Sequence, residues 1–311
     1  MAFYFQISNK DIINDVDVGL QPNPLPFAAA NAPVFGRNAH LSPHLAIVLA
    51  DEGFDVEQVC LPWRYFTDRG FLVEFVFPRP IDPPRTARPD PSYTCGWKGS
   101  IMGPSKEAMD IYSILCTLEE FIEPKHYTDE GFSFLDFDVV LITGGRNEPM
   151  RQMLTDPSLH SKLKPYLSLC KRIDPETNQP SVAPSKILGT IAQGTLPIYM
   201  SDPETPLKST TIPVWMERTN SWISPPPENS SYPYAASLIP SDKYFAGPNY
   251  RSVFTMEDMH HYFISGRCNR DILPLSTGIY GLYRQMLRDQ KSSMRPHKKR
   301  SNHYPTTFIK K

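Results

Sequence analysis

His44-Leu45-Ala46-Ile47-Val48-Leu49-Ala50-Asp51 is an unbroken apolar run that ends in an acid. A strand with one wet face alternates apolar with polar residues, so a run without alternation reads as a strand buried on both faces, as in parallel sheets. Immediately after it, Val56, Val59, Cys60, Trp63 and Phe66 recur at helical spacing and Gly70 closes the element, which predicts a helix over 56–69. Leu72–Phe77 is the next strand, stopped by Pro78 and Pro80. Strand, helix and strand in this order predict a parallel pair joined by a right-handed crossover.

The same grammar repeats outward. Ser105 can cap a helix over 106–122 whose apolar face holds Met109, Tyr112 and Cys116. Residues 138–143 form a third buried strand and run straight into Gly144-Gly145. A helix over 150–170 should be broken near Pro157 and bent at Pro165. Ile187–Ile191 is a fourth strand ending at a small-residue turn, with a helical stretch over 195–200. Segments 252–258 and 262–266 read as a hairpin around Met259-His260-His261, and an amphipathic helix over 272–290 completes the pattern. The reading is one α/β domain with a mostly parallel central sheet and helices on both faces. Every strand-to-helix turn then lies at one sheet edge, where sites in such folds are built.

Composition narrows the classes. The chain has 311 residues, 40% hydrophobic and 21% charged, with 32 basic against 33 acidic side chains, so no global field selects nucleic acid or membrane. The longest apolar run, six residues from Leu45 to Ala50, falls far short of the ~20 that a membrane helix needs. The first twenty residues carry acids rather than a basic leader, so no signal peptide is expected. Five scattered cysteines without a Cys-x-x-Cys pair argue against a disulfide framework or zinc site and for a reducing, cytoplasmic setting. Proline is in excess, 33 residues against 16 glycines, and marks an N-terminal arm over 1–43 and a proline-rich loop insertion over 201–250 within a domain spanning 44–290. Residues 291–311 hold seven Lys or Arg and no acid, and are expected to be a disordered basic tail.

Three segments, in order, resemble the ThiJ/PfpI branch of the class I glutamine amidotransferase-like superfamily. The first is Gly53-Phe54-Asp55-Val56-Glu57-Gln58-Val59-Cys60-Leu61-Pro62-Trp63, where the family places a functional glutamate, here Glu57. The second is Leu141-Ile142-Thr143-Gly144-Gly145-Arg146, similar to the family's Gly-Gly-His turn. The third is Ile191-Ala192-Gln193-Gly194, at the place of the family's Ile-Cys-His-Gly nucleophile elbow. Ile264-Ser265-Gly266-Arg267-Cys268-Asn269-Arg270-Asp271 looks like a stretch of its larger members. The resemblance covers roughly residues 44–290 and implies a flavodoxin-like fold; family members commonly dimerise, although no interface motif stands out here.

The departures bear on chemistry. Ala192 stands where the resemblance puts a cysteine and Gln193 where it puts a histidine; a methyl group cannot attack a carbonyl and a neutral amide is no general base near neutral pH. Covalent thiolate chemistry at this turn is therefore excluded. The resemblance leaves Glu57 as a candidate acid or base and the amides of Gly145 and Gln193 as candidate oxyanion donors, with Arg146, Ala192 and Gly194 as candidate substrate contacts. Cys60, three residues from Glu57, reads as core rather than as a relocated nucleophile. Arg146 would offer a cation to a carboxylate or phenolate, or pair with a local acid such as Glu148. Trp215, Trp222, Tyr232, Tyr234, Tyr244 and Phe245 either line a pocket or cover the core. His260 and His261, at a hairpin turn, are expected to be exposed and not to bind metal, and His40 and His44 form no metal pair because His44 opens a strand. Two functions stay open: a cofactor-free, non-covalent enzyme of small-molecule, conceivably secondary, metabolism catalysing cyclisation, elimination or hydration, and an inactive relative that binds or regulates.

Overall fold

The structure, a computed structural model, describes residues 42–78, 88–89, 104–145, 153–173, 185–212, 239–246 and 253–293. Residues 1–41 of the expected N-terminal arm, most of the insertion with Trp215, Trp222, Tyr232 and Tyr234, the tail past 293 and Arg146 lie outside the described residues.

The run that opens the fold is strand β1 (His44–Val48), followed by the short β2 (Glu52–Phe54) and helix α1 (Val56–Thr67). Asp55 caps α1 by accepting the amides of Glu57 and Gln58, and Gly70, at φ +80°, ends the turn that follows the helix. Then come β3 (Leu72–Phe77), β4 (Arg88–Pro89), α2 (Lys106–Leu115), α3 (Glu119–Ile122), β5 (Lys125–His126), β6 (Val139–Ile142), α4 (Pro157–Ser168), β7 (Ile187–Ile191), α5 (Leu196–Ser201), β8 (Thr255–Asp258), β9 (Phe263–Gly266) and α6 (Ile272–Ser293).

Seven strands form one sheet in the order β5-β3-β1-β6-β7-β9-β8. All neighbours are parallel except β8 and β9, which make the expected hairpin. The missing alternation in β1 is explained by two cores. Leu45, Ile47 and Leu49 face a cluster under α1, α2 and α6, whereas Ala46, Val48 and Ala50 face another under α4 and α5. Each residue of the run is apolar because each side of the sheet is covered.

The helix expected over 106–122 is two helices. At about 100° per residue, Phe121 on one straight helix would sit about 180° from Tyr112. The break at Cys116–Leu118, begun where Thr117 N bonds Ile114 O, turns Phe121 back onto Tyr112, Phe75 and Phe54, with ring centroids 6.2, 4.8 and 6.4 Å apart. Aromatic burial overrides the helical continuation. The helix expected over 150–170 begins anew at Asp156, whose carboxylate accepts Ser158 N at 2.8 Å, and Pro165 lies within α4. His261, expected to be exposed, is buried, with Nδ1 3.1 Å from Asp258 Oδ1. Asp258 also accepts the amides of His260 and Lys208, so its carboxylate draws the turn inward.

Helix α6 meets the sheet at two glycines. A Cβ at Gly189 would lie 2.3 Å from Ile279 Cδ1, and one at Gly278 would lie 2.3 Å from Ile264 Cδ1. Each isoleucine occupies the space that the opposite glycine leaves. Gly189→Ala should therefore overpack this seam and destabilise the protein by about 1–3 kcal/mol. Adding Ile279→Val, which removes the obstructing Cδ1, should return part of that loss in a double-mutant cycle measured by denaturant unfolding. Strictly additive effects of the two changes would contradict this packing.

Candidate functional site

The chain runs from β1 outward to β3 and β5, then returns to place β6 on the other flank of β1. That reversal makes the carboxyl ends of β1 and β6 the switch point where an open parallel sheet forms its crevice. Beyond β6, Thr143 is anchored by N–H and Oγ1 bonds to Val48 O, at 3.0 and 3.1 Å. Gly144 and Gly145 follow. A Cβ on Gly144 would be 3.0 Å from Ala192 Cβ and 3.0 Å from Gln58 Oε1, and Gly145 pairs with Phe54 in an isolated antiparallel bridge. Only glycines fit these approaches.

The adjacent strand β7 turns sharply through a 3₁₀ segment, Ala192–Thr195, into α5. Ala192 is fully buried and adopts φ 53°, alone among the described non-glycine residues in having positive φ. A left-handed alanine costs ~1–2 kcal/mol, so its surroundings must enforce it. Gly194 is seated on the backbone of Ile142 and Thr143, where a Cβ would fall 2.3 Å from Ile142 O. Thr211 Oγ1 donates to Ala192 O at 2.7 Å, and the Thr195 hydroxyl links Thr190 Oγ1 to Thr210 O. The side chain of Gln193 is nearly buried and makes no hydrogen bond among the described residues.

The polar group that reaches the glycine turn is Gln58. Its Oε1 accepts Gly144 N at 2.7 Å and its Nε2 donates to Asn269 Oδ1 at 2.7 Å. Asn269 Nδ2 donates in turn to Asp55 Oδ2 at 2.7 Å and Glu57 Oε2 at 3.3 Å. Glu57, one helical position away, also accepts Ser105 N at 2.8 Å and so ties the starts of α1 and α2 together. Four sequence-distant segments, at 55–58, 105, 144 and 269, thus share one hydrogen-bonded chain. Burial, opposed by the Asn269 bond and reinforced by the nearby Glu57 charge, pushes the Asp55 carboxyl up to about 6.

Of the residues expected from sequence, Gly145, Ala192, Gln193 and Gly194 gather at this edge, while Glu57 lies on the far side of Gln58 and Asn269. Sequence reasoning passed over Gln58, Asp55 and Asn269. Gln58 had a signal, because it interrupts the row Gln58, Pro62 and Phe66 at four-residue spacing, all buried. Burial raises the thiols of Cys60 and Cys268 above their ordinary values. Among the described residues, no three His, Cys, Asp or Glu side chains group as metal ligands, and no helix is long and apolar enough to cross a membrane.

Because the folded Asp55 holds its proton up to about 6, its protonated form stabilises the fold fully below the ordinary 3.8, and this contribution is lost as pH rises through about 6. Asn is as good a helix cap as Asp. Asp55→Asn should therefore remove a rise in unfolding free energy of about 2 kcal/mol that the wild type gains on acidification from about pH 7.5 to 4.5. Denaturant unfolding at both pH values measures it; parallel pH responses of the two proteins would show that Asp55 titrates normally.

Residues 49–248 match the family described as ThiJ/PfpI family-like. An uncharacterized protein of Schizosaccharomyces pombe is 52% identical over 301 residues, covering 97% of each chain. A second uncharacterized protein of that yeast is 33% identical over 235 residues, 75% of this chain and 81% of its own. The crystallographic structure of a chain named APC35852 superposes with a TM-score of 0.53 at 13% identity, covering 79% of this chain and 99% of that one, a likeness of fold alone. By the extent of the first match and the identity of these relatives, the chain belongs to the ThiJ/PfpI-like family.

Proposed function

We propose that this protein is a cofactor-free enzyme that moves protons on a small carbonyl-bearing molecule without covalent catalysis, the proton-transfer core of a cyclisation, elimination or hydration. The observation that carries the reading is a strained turn retained without a nucleophile. Ala192 keeps φ 53°, a conformation that its own chemistry does not require. Outliers of this kind persist where the surrounding structure holds them for a purpose.

In this reading the amides of Gly145 and Gln193 are the dipoles for a developing oxyanion, worth ~10²-fold or more in rate where they are preorganised. Asp55 carries the proton. With a pKa of about 6 it exists in both forms near neutral pH, which suits an acid–base group. Gln58 and Asn269 connect it to Gly144 and fix the amide orientations. Glu57 then acts as a positioning residue, holding the start of α2 and raising Asp55 by its charge. The competing reading, an inactive relative that binds or regulates, is favoured by the full engagement of Gln58 and Glu57 in internal bonds.

Proton transfer leaves a trace that needs no knowledge of the natural substrate. In deuterated buffer, the wild-type protein should wash out the Cα–H signals of at least one member of a panel of small ketones, aldehydes and oxo acids, followed by proton NMR. Washout should survive alkylation of the cysteines and fall by ~10²-fold in Asp55→Asn. Glu57→Gln should keep activity and move the acidic limb of its pH profile downward, since it withdraws the charge that raises Asp55. Saturable ligand binding with no washout across the panel would establish the binding protein instead.

A further inference from the structure

At the end of β9, the register pairs Gly266 with Ile191, so the next residues in the two chains are Arg267 and Ala192. Arg267 is 3% exposed. Its main-chain N–H is held by Asp271 Oδ2 at 2.6 Å and Phe254 O at 3.3 Å. The Asp271 carboxylate also takes the amides of Phe254 and Cys268, so its hydrogen bonds go to the backbone of this corner while its charge faces that of Arg267. The guanidinium lies with its carbon 4.7 Å from the centre of the Phe254 ring. Phe254 in turn stacks on the half-exposed Phe245, their ring centroids 5.7 Å apart.

Nε and Nη2 of Arg267 are buried and make no hydrogen bond among the described residues. A guanidinium does not shed its charge in a protein, so burial cannot be relieved by deprotonation. The identity of the two atoms matters. Nε and Nη2 point their N–H bonds along one edge of the plane, the parallel fork that matches the two oxygens of a carboxylate. Ser265, two residues back and on the same face of β9, accepts Thr210 N at 2.8 Å. Thr210 Oγ1 is itself buried without a hydrogen-bond partner among the described residues, and its neighbour Thr211 holds Ala192 O. A second polar atom is therefore brought to the face that carries Arg267, within the segment that braces the strained turn.

We propose that Arg267 anchors the carboxylate of a small organic acid through its Nε and Nη2 edge, with Phe254 beneath the guanidinium, and so presents the remainder of that molecule to the Ala192 turn. The proposal rests on the proton-transfer reading and supplies its substrate class: an oxo acid rather than a neutral ketone or aldehyde. The fork selects a planar carboxylate, and the aromatic pair beside it suits an apolar body.

The test uses the full-length protein labelled with nitrogen-15 and benzoate as the probe. Titration should shift the Arg267 Nε–H resonance saturably, with Arg267→Lys and Arg267→Met identifying that signal and weakening benzoate binding at least about ten-fold, since Lys keeps the charge but not the fork. Inorganic phosphate and benzamide should compete poorly. An Nε–H resonance unmoved by benzoate in the wild type overturns the proposal whatever the variants do, and so does phosphate binding more tightly than benzoate. The washout assay separates the two claims. Saturable benzoate binding with no proton exchange on any compound would leave the anchor standing and remove the enzyme; exchange equally fast on oxo acids and their esters, with KM unchanged in Arg267→Met, would leave the enzyme and remove the anchor.

Discussion

At residue 194 the backbone of Ile142 and Thr143 leaves room for a hydrogen and nothing larger. This contact brings the turn after β7 against the end of β6, and the remaining geometry of the edge follows from it. The chain must reverse within the residues before Gly194, which puts Ala192 in the left-handed region. Thr195 and Thr211 then tie the displaced backbone to the segment that crosses β9. Glycine at 144 lets Gln58 and Ala192 close in from either side. One backbone-to-backbone approach thus sets the positions of groups from the ends of β6 and β7, from α1 and from the segment at 210–211.

The architecture was legible because both faces of the sheet are covered. A strand buried twice has no polar residues to lose, and the runs at β1 and β6 announce themselves. Helix α2 was legible in its cap and not in its end, because its stop is decided by Phe121 finding Phe75 across the fold, which local periodicity does not encode. The glycine-rich turn and the elbow were legible as motifs. The polar chain behind them was not. One step along α1 rotates a side chain by about 100°, so the same motif directs Gln58 to the turn and Glu57 away from it. Asn269 sits more than two hundred residues from its partners in sequence, and nothing local marks it. Arg267 was visible only as one letter in a matching stretch; that its Nε and Nη2 find no hydrogen-bond partner among the described residues goes with Asp271 being taken up by three amides.

The edge is divided electrically. Two carboxylates gather above α1, around Asn269, and at the end of β9 the cation Arg267 has a carboxylate of its own, Asp271, beside it. Asp271 thus balances the charge of Arg267, whereas Nε and Nη2 keep their hydrogen-bonding capacity among the described residues.

The sheet ends in strands of two and four residues, β5 and β8, with Lys125 on one and Glu257 on the other. Short, charged margins offer few consecutive N–H and C=O groups for another strand to zip against. Two copies of this chain would gain little by continuing their sheets across a shared boundary. Self-association would have to proceed through helical or loop faces, leaving each molecule's crevice independent of its neighbour's sheet.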